Sequence, residues 1–124
     1  MMSYRDLVAW QIGMDLVERI YALTALLPAD ERFGLISQLR RSAVSIPSNI
    51  AEGHSRESTK EFTRFVSIAR GSLAELETQI LLVQRLRWLP PEHPDAALAC
   101  CDELGRVQRG LRKSLDNKLA AKFR

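Results

Sequence analysis

The stretch STKEFTRFVSIARGSLAELETQILLVQRLRW, residues 58–88, decides the fold. Phe62, Val66, Ala69, Leu73, Leu76, Ile80 and Val83 recur at alternating steps of four and three. That spacing returns apolar side chains to one side of an α-helix, and its seven-residue period is the one by which helices pack along a shared seam. Ser58 and Glu61, three residues apart, have the spacing of a capping box, in which hydroxyl and carboxylate satisfy free amides reciprocally. A helix from there to about Trp88 is near 30 residues and roughly 45 Å long. Gly71 sits in its middle at a cost of about 1 kcal/mol against alanine. A glycine so placed implies that another helix approaches closely.

Downstream, Leu89-Pro90-Pro91-Glu92-His93-Pro94 reads as a stiff loop, and Asp95 as the N-cap of a last helix. Cys100, Leu104, Val107, Leu111, Leu115 and Leu119 line one side of that helix. Upstream, two further segments carry the helical period. From Asp6 to Leu27 the main stripe is Leu7, Trp10, Met14, Val17, Tyr21 and Thr24. A second stripe, Ala9, Leu16, Ile20, Leu23 and Leu27, lies beside it. From about Asp30 to Gly53 the stripe is Ile36, Leu39, Ala43, Ile46 and Ile50. Pro47 falls inside this segment, yet the stripe keeps its phase across it. One long helix bent at Pro47 is therefore predicted, with Ser42, Ser45, Ser48 and Asn49 at hand for the carbonyl that proline leaves bare. Gly53 is the expected C-terminal cap. No stretch alternates long enough to form a strand. The fold class is all-α: a single four-helix-bundle domain over residues 1–124, antiparallel and up-down-up-down, with a proline-kinked second helix.

Composition narrows the class further. The 124 residues fit one domain, large enough to bury a core without a disulfide or metal staple. The N-terminus has no apolar run behind its first positive charge, and no apolar run approaches the roughly 20 residues that span a bilayer. Cys100 and Cys101 are adjacent, a poor geometry for a disulfide, and read as reduced thiols. A cytoplasmic protein with no membrane partner is expected. The first helix carries two apolar stripes, and the third adds Phe65, Ile68, Leu82 and Leu86 beside its seam. That exceeds what one bundle core takes, so some of these faces are expected to bury against further subunits.

The sequence offers little for catalysis. Its only histidines, His54 and His93, lack the Glu-x-x-His spacing of di-iron bundles. The adjacent cysteines lack zinc-ligand spacing. There is no nucleophile elbow and no glycine-rich phosphate loop. No enzyme activity, cofactor or metal is expected. Two polar groups interrupt the apolar surfaces: Ser45, Asn49 and Glu52 near Pro47, and Ser72, Glu75 and Gln79 on the third helix. They read as a hydrogen-bonded network that fixes helix register, in preference to a ligand pocket.

Charge gives the other lead. From Leu104 onward there are Arg106, Arg109, Arg112, Lys113, Lys118, Lys122 and Arg124 against Asp116 alone, while the whole chain carries only +3. Arg106, Arg109 and Lys113 share one helical face. Arg40, Arg41, Arg56, Lys60 and Arg64 add positive spots. A basic patch of this kind is the footprint of a polyanion binder. No exposed aromatics interleave with these residues, so no base-stacking platform is expected.

The run Ser37-Gln38-Leu39-Arg40-Arg41-Ser42-Ala43-Val44-Ser45-Ile46-Pro47-Ser48-Asn49-Ile50-Ala51-Glu52-Gly53 resembles the bacterial four-helix-bundle proteins encoded in intervening sequences of 23S ribosomal RNA genes. Tyr4-Arg5-Asp6-Leu7 with Ala9-Trp10-Gln11, Glu61-Phe62-Thr63-Arg64-Phe65, and Ile68-Ala69-Arg70-Gly71-Ser72 with Glu75-Leu76-Glu77-Thr78-Gln79 extend the resemblance to about Leu86. It implies an antiparallel four-helix bundle assembled as a ring-like homopentamer, and no established activity. A similar accessory protein of diversity-generating retroelements forms a pentameric barrel and binds a reverse transcriptase and nucleic acid. By that likeness the partners expected are RNA or DNA, through basic faces with low sequence specificity, or alternatively a protein partner to which the ring presents a surface.

Overall fold

The computed structural model describes residues 2–122, so Arg124 lies outside the described residues. Four helices form the fold: α1, Val8–Thr24; α2, Leu35–Ser55; α3, Thr59–Leu86; and α4, Glu92–Ala121. Among the described residues there is no strand. Each helix packs on its chain neighbours, and α4 closes the ring against α1. Side-chain pairs give the relative direction of α2 and α3: Ser42 meets Glu75 and Ser45 meets Ser72, so α3 recedes as α2 advances.

The core is continuous through all four helices. Leu16, Ile20, Leu39, Ala43, Ile46, Ile50, Val66, Ala69, Leu76, Ile80, Ala97, Cys101 and Leu104 are fully buried. The α2 and α3 stripes face inward as their spacing predicts, except that Ile36 and Phe62, at their N-terminal ends, are only partly buried. In α1 and the turn after it the order of importance reverses: Ala9, Leu16, Ile20, Leu23 and Leu27 are buried, whereas of the main stripe Thr24 alone is buried and Met14 and Tyr21 remain 41% and 44% exposed. Two adjacent apolar stripes look alike in sequence, and packing against α2 and α4 selects one. In α4 Cys101 and Gln108 turn inward, while Cys100, Val107, Leu111 and Leu119 are only partly buried.

Helix ends differ from expectation at four places. A short 3₁₀ turn, Ala29–Glu31, precedes α2, so the helix starts at Leu35 and not at Asp30. Pro47, as expected, lies inside α2 without ending it. Gly53 is no cap: α2 continues to Ser55, and a Cβ at Gly53 would sit 2.6 Å from the Cβ of Phe65. Glycine is there so that α3 can approach. Ser58 caps α3 by accepting the Glu61 amide at 3.1 Å, but the Glu61 carboxylate takes the Arg64 guanidinium at 2.9 Å, which leaves the box half-made. Finally, α4 begins at Glu92, with Pro91 at its N-cap. The first-turn amides of a helix have no partner within it, so Pro94 loses nothing there. Asp95 accepts the Gln84 side-chain amide at 2.9 Å instead of capping. Gly71 also departs from expectation: no atom lies within 4 Å of where its Cβ would be.

Candidate nucleic-acid interface

Between α2 and α3 the polar residues singled out by sequence form a seam. The Ser42 hydroxyl donates to Glu75 at 2.7 Å, Ser45 and Ser72 share a hydrogen bond of 2.8 Å, and the Asn49 amide donates to the Ser45 carbonyl at 2.8 Å. One turn of this network brackets Pro47, where the helix lacks an amide. Glu52 is not in it; its carboxylate pairs with Arg56 at 2.7 Å. Gln79 is buried with its carbonyl oxygen unpartnered, apart from the seam. The seam holds two helices in register.

The basic candidates fall into three separate places. On the first, Arg40 lies over the Tyr21 ring at 4.5 Å and donates to Thr24 at 2.8 Å, with Arg41 exposed beside it. On the second, Arg56 and Arg64 flank the buried Phe65 ring at 5.2 and 5.0 Å. Both are tied to carboxylates one helical turn away, and Lys60 is exposed near them. The third is α4. Arg106, Arg109 and Lys113 are exposed and enter no ion pair among the described residues. Arg112 is engaged, pairing with Asp116 at 3.1 Å and donating to Ser67 of α3. Burial pushes the Glu77 carboxyl up, with Asp102 adding to the effect and the positive Arg109 opposing it. Arg109 thus lies within the field of α3.

Two surface features go beyond the sequence reading. Trp88 is 39% exposed and stands beside Arg85 and Arg87, an aromatic interleaved with basic residues where none was expected. The run Arg85-Leu86-Arg87-Trp88 was readable, but its exposure depends on where α3 stops. That stop is set by Arg87, at φ 56° in the left-handed region. Second, apolar exposure is extensive. Tyr4, Trp10, Met14, Val17, Val44 and Pro47 line a shallow groove between α1 and α2. On α3, Ile68, Leu81, Leu82 and Leu86 are each more than 40% exposed, whereas Phe65 is buried.

Among the described residues no group of three or more His, Cys, Asp or Glu side chains could hold a metal, and no helix is long and apolar enough to cross a membrane. Bundle, polar seam and separated basic faces define a small four-helix protein. The chain belongs to the family of 23S rRNA-intervening sequence proteins, whose model matches residues 5–110. Lys113 and Arg112 fall just beyond that range. Among solved structures, the chain is similar to a protein of unknown function of the S23 ribosomal protein family from Bacteroides thetaiotaomicron VPI-5482. The TM-score is 0.79 at 23% identity, over 86% of this chain and 99% of that one. No curated protein matches the sequence.

Proposed function

We propose that this protein is a non-catalytic, self-assembling bundle that holds RNA or DNA by its phosphates, with little choice of sequence. The observation that carries the reading is the exposed stripe of Arg106, Arg109 and Lys113 on α4, with no carboxylate paired to any of them among the described residues. Guanidinium and ammonium groups left without protein partners are the groups that neutralise phosphate. Arg41 and Lys60, in their separate places, are exposed as well. Arg40, Arg56, Arg64 and Arg112 are held by protein groups and contribute field more than contact. Burial of the exposed apolar faces between subunits, in the homopentamer that the resemblance implies, would repeat each basic face around a ring and multiply its grip on one strand.

The test is binding to a structured RNA and to duplex DNA across a salt series. Affinity should fall with a log–log slope of about −0.9 for each duplex phosphate held. The triple reversal R106E, R109E and K113E should weaken binding at least tenfold without loss of helical signal. Absence of binding at low salt, or binding indifferent to salt, overturns the proposal. The exposed Ile68, Leu81, Leu82 and Leu86 of α3 favour a second reading, a scaffold that presents its surface to a protein partner. That reading predicts salt-insensitive capture of the partner and no affinity for nucleic acid.

A further inference from the structure

We infer that the α3–α4 turn is a seat for one unpaired nucleotide, its base stacked on Trp88 and its flanking phosphates held by Arg85 and Arg87. The inference rests on the nucleic-acid reading above and adds a site and a strand preference to it. A groove of about 800 Å³ opens at this turn, bounded by Gln84, Arg85, Arg87, Trp88, Pro90 and Pro91. Its floor is apolar and rigid, because two successive prolines fix the backbone under it. Trp88 leaves 39% of its surface to solvent there. An indole at the mouth of a groove offers a flat π-surface at little conformational cost, and any base can stack on it.

Charge selects the occupant. Arg85 and Arg87 are exposed and enter no ion pair among the described residues. Of the acidic groups at the start of α4, Asp95 accepts from Gln84 at the groove's edge and pairs with neither arginine, and Glu92 lines a different groove on the α1 side. An indole that shares one groove with two guanidinium groups suits a flat ring carrying anionic groups. A nucleotide freed from base pairing has that form, whereas a paired base hides its face in the stack.

The backbone adds an independent sign. Arg87 occupies φ 56°, ψ 33°, a left-handed conformation that glycine adopts without strain. Arginine stands where glycine would close the helix more easily. Strain of this kind at a helix end points to a use for the side chain.

That geometry also supplies a clean test. R87G should leave the melting temperature unchanged or raise it, since glycine suits the conformation, while removing one phosphate contact. In a W10F background Trp88 is the sole fluorophore of its kind. A short uridine oligoribonucleotide should quench it saturably, and the same strand annealed to its complement should not. W88L should lower single-strand affinity roughly tenfold, and R87G should reduce the salt slope by about 0.7, one single-strand phosphate. Polyglutamate serves as the rival acidic partner. Equal quenching by polyglutamate, equal quenching by the duplex, or single-strand binding with no change at Trp88 overturns the inference. If duplex binding persists while Trp88 stays silent, the α4 proposal survives and this site falls. If neither strand form binds, the nucleic-acid reading fails as well.

Discussion

A methyl group added at Gly53 and one added at Gly71 should act in opposite directions. At Gly53 the new atom meets Phe65 at 2.6 Å and Phe62 at 3.0 Å, so α2 and α3 must part. G53A should cost about 1–3 kcal/mol, the usual range for overpacking. At Gly71 nothing lies within 4 Å, so G71A gains helix propensity and should stabilise by about 0.5–1 kcal/mol. Urea midpoints of the two variants check both signs. Cys101 gives a third residue-scale expectation. Burial, with Glu77 and other negative neighbours adding, pushes its thiol up to about 12 from the ordinary 9.0. The unfolded chain loses this proton above pH 9, while the fold must keep it. Stability is therefore intact below the ordinary thiol value and is lost as pH climbs toward the raised one. Urea midpoints taken at rising alkaline pH should fall more steeply for the native chain than for C101A, and Cys101 should resist alkylation until the protein unfolds.

At the scale of elements, the α2–α3 seam is the joint to test. S45A and S72A each break one shared hydrogen bond, and a double-mutant cycle should return a coupling of about 0.5–1.5 kcal/mol. A coupling near zero would mean that the two hydroxyls are satisfied elsewhere. The seam was legible because Ser45, Asn49, Ser72 and Glu75 interrupt otherwise apolar stripes, and a polar group on such a stripe needs a partner. The four helices were legible from the three-and-four spacing, as was the passage of α2 through Pro47. Glycine roles were not. Whether a glycine caps, spaces or merely weakens a helix depends on what stands opposite, and that is set by the register of another element. The early start of α4 was hidden for a related reason: prolines read as loop, although a first helical turn has no need of their missing amides. Of the basic candidates, sequence placed the α4 face together. It did not separate out Arg40, Arg56, Arg64 and Arg112, which are occupied by Thr24, Glu52, Glu61 and Asp116: the last three pairings lie within one helix and depend on rotamers, and the first depends on a neighbouring helix.

At the scale of the whole molecule, the bundle closes its own core and still leaves large apolar side chains outside. Met14, Tyr21 and Val44 are exposed along α1 and α2, and Ile68, Leu82 and Leu86 along α3. Monomeric proteins seldom leave apolar residues grouped this way, and closed assemblies bury them. A charged residue at each of two positions of the α1–α2 groove, M14E with V44E, should therefore dissociate the proposed assembly while leaving the subunit helical, since neither side chain belongs to the core. The ring, and the repetition of basic faces that the nucleic-acid proposal draws on, depend on this association. Light scattering on the purified chain at micromolar concentration measures it directly. A mass several times the 14.1 kDa subunit, near five, is the predicted result. A mass of one subunit would contradict the account.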